Sequence, residues 1–182
     1  MRKIVAGLFM SLDGVVEAPE KWSGAYSSAE VGQSIGARIA AGDLMLLGRV
    51  TYQTFADSFG GQPDDNPMAA RMNSFVKVVV STSLAKAEWN NSTLISSNAI
   101  EEIAKLKALP GKNILVSGSI TLVRSLLQAD LLDELHLTVC PIVVGAGIRL
   151  FADGGPQIPL KLTDSQTFPT GVLSLAYQPA NR

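Results

Sequence analysis

The segment of residues 43–52 constrains the fold of this chain most strongly, because it joins an unbroken apolar run to a glycine corner. The four apolar residues 44–47 show no alternation, which predicts a strand that is buried on both faces of a sheet. Gly48 lets the backbone turn tightly, and the residues from Thr51 onward can begin a helix whose free N–H groups suit a phosphate. Arg49 adds a permanent positive charge. We interpret this corner as part of a nucleotide site; a plain strand end with an exposed arginine is the alternative.

The composition bounds the size, the surface and the partners of the protein. The chain has 182 residues, of which 47% are hydrophobic, and a formal charge of -1, which fits a single domain spanning residues 1–182 with a substantial core. Charged residues make up only 17%, against a typical share of about 25%, so we expect an apolar surface that is covered in a homo-oligomer. The chain has no excess of basic over acidic residues and no cluster of Lys and Arg, which argues against nucleic acid or anionic membranes as partners.

Cysteine usage and hydropathy predict a cytoplasmic protein. Cys140 is the only cysteine, so no internal disulfide can form, and no Cys/His grouping has the spacing of a zinc site. No apolar run approaches the roughly 18 residues that a membrane span needs, and the N-terminus enters a strand pattern instead of a signal peptide. We therefore expect neither a metal centre nor export from the cytoplasm.

Apolar periodicity and turn residues divide the chain into alternating strands and helices. Strands are predicted at residues 3–10, 44–47, 76–80, 93–96, 113–117 and 135–140, and helices follow most of them. The first helix is expected to begin at a capping box formed by Ser27 and Glu30 and to end at Gly42. Residues 160–177 indicate two strands joined near Pro169-Thr170-Gly171, which predicts a C-terminal antiparallel hairpin on a largely parallel sheet.

Three strand ends carry residues that suit phosphate groups. A second strand–glycine–helix corner lies at Gly118-Ser119 and repeats the pattern of Gly48-Arg49. Ser81-Thr82-Ser83 supplies hydroxyls and backbone amides at the end of the strand of residues 76–80. A Rossmann fingerprint and a Walker loop are both absent, and Gly145-x-Gly147 is typical of turns. The three strand ends together indicate a nucleotide site at the carboxyl edge of the sheet.

Few side chains could act directly in catalysis, and each has a structural alternative. Glu30 is most simply a helix-capping residue, although a carboxylate facing a cleft could hold a substrate amidine or assist proton delivery. Asp13-Gly14 is most simply a turn pair, and Trp22 either anchors a loop or forms a pocket wall. His136 has no partner visible in the sequence and Cys140 has no visible base, which favours structural roles for both.

The order and spacing of five short motifs resemble the dihydrofolate reductase-like superfamily over nearly the whole chain. The resemblance is closest to stand-alone bacterial proteins similar to the C-terminal reductase domain of the bifunctional riboflavin-biosynthesis deaminase-reductase, RibD. It implies a three-layer α-β-α fold with a mixed, mainly parallel sheet of about eight strands, an NADPH site at the carboxyl edge of the sheet, and a homodimer. The motifs are Ser11-Leu12-Asp13-Gly14, Gly48-Arg49-Val50-Thr51-Tyr52, Ser81-Thr82-Ser83, Gly118-Ser119 and Pro141-Ile142-Val143-Val144-Gly145-Ala146-Gly147.

The resemblance also implies roles for individual residues. Asp13 and Glu30 are the catalytic candidates, and Trp22 and Ser117 are the expected substrate contacts. Arg49 would lie near the 2′-phosphate of the cofactor. The full set of implied cofactor contacts is Gly14, Gly48, Arg49, Thr51, Ser81, Thr82, Ser83, Gly118, Ser119 and Ile120.

Two departures from the family pattern bear on the substrate. Pyrimidine reductases usually have a basic residue after the Asp-Gly pair and an acidic residue before a double glycine at the second corner, where this chain has Val15 and Ser117 followed by Gly118-Ser119. The first hypothesis is an NADPH-dependent reductase that passes hydride to a small heterocycle. Within it, 5-amino-6-(5-phosphoribosylamino)uracil reduction leads, and dihydrofolate or pterin reduction is second. The alternative is a non-catalytic nucleotide-binding protein that has kept the fold.

Overall fold

A mixed eight-stranded sheet is the centre of the computed structural model, which describes residues 1–63, 65–151 and 153–180. The strands are β1 (Ile4–Ser11), β2 (Gly42–Gly48), β3 (Val76–Val80), β4 (Ser92–Ile95), β5 (Asn113–Ser117), β6 (Glu134–Cys140), β7 (Leu160–Thr167) and β8 (Leu173–Pro179). Their spatial order is β4-β3-β2-β5-β1-β6-β8-β7. Neighbours from β4 to β6 run parallel, whereas β8 is antiparallel to both β6 and β7. The predicted mainly parallel sheet and its C-terminal hairpin are confirmed.

Helices cover both faces of this sheet and complete three layers. Apolar residues of α4 (Ala99–Ala108) and α5 (Ile120–Gln128), such as Ile103 and Leu126, pack on one face. Residues of α1 (Ala29–Ala40), α2 (Arg49–Phe59) and α3 (Pro67–Ser74), such as Ile39, Tyr52 and Met72, pack on the other. Among the described residues, no helix combines the length and the hydropathy needed to cross a membrane. Short 3-10 helices lie at Pro19–Lys21 and Gly24–Tyr26.

The strand register brings the carboxyl ends of the parallel strands to one edge of the sheet. Gly48 at the end of β2 lies opposite Val80 at the end of β3. Ser11 at the end of β1 lies opposite Cys140 at the end of β6. The loops that leave these strands therefore meet at the same edge, where ligands bind in open α/β sheets.

Two predicted helix starts are wrong by one or two residues. Helix α1 is capped by Ser28, whose hydroxyl accepts from Val31 N at 3.3 Å, and not by a capping box at Ser27. Helix α2 begins at Arg49 instead of Thr51, because Gly48 is extended and already serves as its N-cap. Serine side chains at two successive positions can both cap, and the local pattern does not show which backbone will be extended.

Candidate functional site

The two glycine corners predicted from sequence are joined by hydrogen bonds. Gly48 N donates to Ser119 Oγ at 2.8 Å, and Ser119 N donates to Thr51 Oγ1 at 3.0 Å. Ser119 Oγ also donates to Thr51 Oγ1 at 3.0 Å. These bonds hold the N-termini of α2 and α5 side by side. Because the first turn of a helix has N–H groups without intrahelical partners, two adjacent N-termini form a surface suited to negatively charged oxygens.

The second corner needs glycine at position 118 for two reasons. Gly118 has φ of +62°, in the left-handed region, and a Cβ there would lie 3.2 Å from Thr51 Oγ1. Ser119 follows with φ of +56° and serves as the N-cap of α5, which begins at Ile120. The left-handed pair turns the chain sharply from β5 into α5 and aims the Ser119 hydroxyl at the first corner.

Arg49 lies at the first corner, and residues 81–83 follow β3, the strand that is paired with β2. Arg49 is exposed, and its Nη1 donates to Gln53 Oε1 one turn along α2 at 3.2 Å. Ser81 Oγ accepts from the backbone N–H groups of Ser83 at 3.2 Å and Leu84 at 3.0 Å. Thr82 and Ser83 are exposed on this turn. Because Gly48 and Val80 are paired across β2 and β3, the two segments leave the sheet as neighbours.

Asp13 braces the loop that follows β6. Its Oδ1 accepts from Ser11 Oγ at 2.6 Å and from Val144 N at 3.0 Å, and its Oδ2 accepts from Gly145 N at 2.9 Å. These bonds, chiefly that from Ser11, lower the pKa of the Asp13 carboxyl to about 2. Asp13 is therefore ionised at neutral pH and has no proton to donate.

The contacts of Asp13 predict how stability depends on pH. The depressed pKa of Asp13 contributes stability that is complete above the ordinary aspartate value of about 4 and is lost as the pH falls towards 2. Asp13→Asn cannot ionise, so the difference in melting temperature between wild type and variant should be constant above about pH 4 and shrink between pH 4 and 2. Thermal melts followed by circular dichroism measure this difference. A difference that stays constant down to pH 2 would contradict the assignment.

The same two loops are fastened by a second set of contacts, which the sequence does not reveal. Glu17 Oε2 accepts from Ile148 N at 3.0 Å, and Arg149 Nε donates to the carbonyl of Asp13 at 2.8 Å. Arg124 of α5 donates to the carbonyls of Arg149 at 2.6 Å and of Leu150 at 2.8 Å. The available signal in the sequence was the presence of acidic residues in the loop after β1 and of a glycine-containing loop after β6, whose N–H groups they could bind. Nothing in the local sequence paired them.

The remaining predicted residues lie on the α1 side of the sheet. Trp22 Nε1 donates to the carbonyl of Glu17 at 3.0 Å, and its ring packs on an apolar cluster that includes Tyr26 and Phe168. Glu30 is exposed at the start of α1, where hydrogen bonds from its own backbone N–H and from Ser28 lower its pKa. Ser117 ends β5 and lines a crevice beneath α1. The structure thus brings the corner residues together and leaves Glu30 at its own helix end.

Comparison with known proteins places almost the whole chain in one sequence family. The RibD C-terminal domain family matches residues 2–174. The uncharacterized protein YyaP of Bacillus subtilis (strain 168) is 28% identical over 181 residues, covering 97% of this chain and 94% of YyaP. The uncharacterized protein YwjB of the same bacterium is 36% identical over 76 residues, covering 42% of this chain and 44% of YwjB.

Solved structures share the fold at low sequence identity. A putative riboflavin biosynthesis protein from Shewanella sp. PV-4 has a TM-score of 0.78 at 20% identity, with 97% of this chain and 98% of that chain covered. The Thermotoga maritima diaminohydroxyphosphoribosylaminopyrimidine deaminase/5-amino-6-(5-phosphoribosylamino)uracil reductase has a TM-score of 0.69 at 14% identity, with 98% of this chain and 57% of that chain covered. Enterococcus faecalis dihydrofolate reductase, complexed with NADP(H), has a TM-score of 0.64 at 14% identity, with 98% and 96% covered. The fold is therefore dihydrofolate reductase-like.

Proposed function

Because this chain belongs to the RibD C-terminal domain family, we propose that it is an NADPH-dependent reductase that transfers hydride to an electron-poor carbon of a small heterocyclic substrate. One observation carries the proposal most directly. Gly48, Thr51 and Ser119 join two helix N-termini into one surface at the carboxyl edge of the sheet. A dinucleotide pyrophosphate is the kind of group that such a surface binds.

The residues at this edge would suit a nicotinamide dinucleotide. The glycine at 118 keeps a Cβ out of the space beside Thr51, so that a phosphate can approach the backbone closely. Thr51 accepts both hydrogen bonds from Ser119, which leaves its own proton for another acceptor. Arg49 would hold the 2′-phosphate beside Ser81, Thr82 and Ser83, and Gly14 would lie near the nicotinamide. When bound, the cofactor would supply the hydride.

The α1 side of the same edge would take the heterocycle. Partly buried aromatic side chains gather there, among them Phe9, Trp22 and Tyr26, and flat rings stack well against such residues. A phosphorylated pyrimidine is the leading substrate class. Val15 is buried at the position where pyrimidine reductases usually have a basic residue, but the exposed Arg149 reaches this place from the other loop, and its side-chain carbons Cγ and Cδ lie 3.9 Å from the position of a Gly14 Cβ. The positive charge of Arg149 would pair with a phosphate group of the substrate.

Proton delivery would fall to water in this arrangement. The low pKa of Asp13 keeps its carboxylate ionised, and the hydrogen bonds that it accepts from Val144 N and Gly145 N fix the loop of residues 143–145 beside the site. Glu30 has a lowered pKa as well and lies exposed at the start of α1. Asp13 would therefore act by positioning the loop, and an ordered water would protonate the reduced substrate.

A substrate panel tests the proposal against its two alternatives. Purified protein is incubated with NADPH and one candidate substrate at a time, and oxidation of NADPH is followed by absorbance. The candidates are 5-amino-6-(5-phosphoribosylamino)uracil, its dephosphorylated analogue, dihydrofolate and a dihydropterin. Turnover of the phosphorylated pyrimidine is the expected result. Turnover of dihydrofolate or the pterin alone would instead support the pterin reductase alternative.

Binding measurements complete the test. NADPH binding by calorimetry without turnover of any substrate would support a non-catalytic nucleotide-binding protein of the same fold. If neither NADPH nor NADH bound, the cofactor assignment would be wrong. The homodimer and the cytoplasmic location stay predictions from the sequence.

A further inference from the structure

A second cleft lies beside α1, on the polar face of β6, β8 and β7. Its volume is about 240 Å³. His136 in its floor is paired with Gly7 of β1, whose other neighbour is Ser117 at the end of β5, so the cleft lies on the β6 side of the second glycine corner. We call it the α1 cleft and define it by Arg38, Glu134, His136, Asp164, Gln166 and Ser174.

Arg38 is the unusual residue of the α1 cleft. Its guanidinium lies directly on the backbone of β1, where a Cβ at Gly7 would be 2.8 Å from its Nε. Burial lowers the pKa of Arg38, although a guanidinium remains charged at any physiological pH. Within residues 1–63, 65–151 and 153–180, no side chain or carbonyl accepts a hydrogen bond from it and no carboxylate pairs with it. Because Arg38 is only partly exposed, water screens its charge incompletely, and a small anion from solution can pair with it.

The acidic residues of the α1 cleft do not supply that counter-ion. Glu134 is already engaged by Lys3 at 2.8 Å and by His136 Nε2 at 3.1 Å. Asp164 is exposed on β7, forms no ion pair with Arg38 and is screened by water. The pairing of His136 with Glu134, two residues earlier on the same strand face, also corrects the expectation that His136 has no partner visible in the sequence.

We propose that the α1 cleft binds a small oxyanion, a carboxylate or a phosphate, with the Arg38 guanidinium as its charged contact. A planar guanidinium offers two parallel N–H donors to such a group, and these charge-assisted bonds are about twice as strong as neutral ones. Gln166 and Ser174, which are paired across β7 and β8 and also line the cleft, add neutral donors. The proposal concerns anion binding at Arg38 and is tested without NADPH, so its failure would leave the reductase assignment unchanged.

The single histidine makes a site-specific test possible. His136 lines the α1 cleft and is the only histidine of the chain, so its imidazole C–H signals in a proton NMR spectrum are assigned without ambiguity. Inorganic phosphate and sodium acetate are titrated separately into the protein at fixed pH and ionic strength. We expect a saturable shift of the His136 signals. Saturation by both probes indicates general oxyanion binding, and saturation by one identifies the preferred group.

Two variants and a matched control decide the assignment. Arg38→Gln should weaken binding by tenfold or more, because it removes the charged fork while keeping a polar side chain. Gly7→Ala should weaken it as well, since the new methyl group displaces the guanidinium. Lys105→Gln removes an exposed cation from α4 on the opposite face and should leave the titration unchanged. Shifts that do not saturate, or that are equal in wild type and Arg38→Gln, would overturn the proposal.

Discussion

Replacing Lys107 with methionine should lower the free energy of unfolding by about 3 kcal/mol, because it removes one partner of a largely buried ion pair. The Lys107 ammonium is 2.7 Å from Asp133 Oδ2 and donates to the carbonyl of Leu131 at 2.9 Å. Its side chain is 9% exposed and that of Asp133 19%, so water can replace little of the lost interaction. The pair fastens the end of α4 to the segment that enters β6. Urea unfolding, followed by fluorescence, gives the change in free energy.

Lys105 provides a control on the same helix. Its ammonium pairs with Glu102 at 2.6 Å, but the two side chains are 70% and 43% exposed. Exposed pairs contribute little because water screens them, so Lys105→Met should change stability far less than Lys107→Met. Both substitutions exchange lysine for methionine inside α4, which keeps the change in helix propensity similar. Equal losses for the two variants would mean that burial of the Lys107 pair does not matter.

Local patterns were sufficient to predict the strands and the glycine corners. The strand predictions for residues 76–80 and 113–117 match β3 and β5, because β-branched and apolar runs between turn residues specify a buried strand. The hairpin of β7 and β8 follows from the turn at Pro169-Thr170-Gly171 in the same way. In each case the residues that decide the structure are close together in the sequence.

Contacts between distant segments could not be predicted in this way. Ser119 meets Gly48 from 71 residues away, and Asp13 meets Val144 from 131 residues away. Hydrophobic periodicity reports the face on which a residue lies, and it does not identify the partner that its polar atoms will find. The sequence therefore showed the two glycine corners only as separate motifs. It did not show that Ser119 is hydrogen-bonded to Gly48 and Thr51, the contacts on which the proposed cofactor site depends.

Lys77 shows the same limit inside a correctly predicted strand. A lysine among valines suggests an exposed face, yet Lys77 is fully buried. Its ammonium donates to the carbonyl of Phe75 at 2.8 Å and lies 4.2 Å from the centre of the Trp89 ring, and burial lowers its pKa to about 8. These contacts come from the chain before β3 and from the loop after it. The strand pattern contains no information about either.

Arg49→Ala should weaken NADPH binding by ten- to a hundredfold and leave NADH binding nearly unchanged. A guanidinium can hold a 2′-phosphate through two charge-assisted hydrogen bonds, whereas the 2′-hydroxyl of NADH offers no charge to pair with. Each tenfold loss corresponds to about 1.4 kcal/mol. Titration calorimetry of wild type and variant with both nucleotides measures the four affinities.

The position of Arg49 on α2 allows a control that distinguishes a direct contact between Arg49 and the 2′-phosphate from a structural role of Arg49 at the corner. Arg49 Nη1 donates to Gln53 Oε1 at 3.2 Å, so Gln53 orients the guanidinium from the next turn of the helix. Gln53→Ala leaves the charge in place and should weaken NADPH binding far less than Arg49→Ala, because a flexible arginine can still reach the phosphate. Equal losses of NADPH and NADH in Arg49→Ala would instead assign Arg49 to the pyrophosphate or to the corner itself. Selectivity for the 2′-phosphate would then depend on Ser81, Thr82 and Ser83, the exposed or half-exposed donors on the neighbouring strand end.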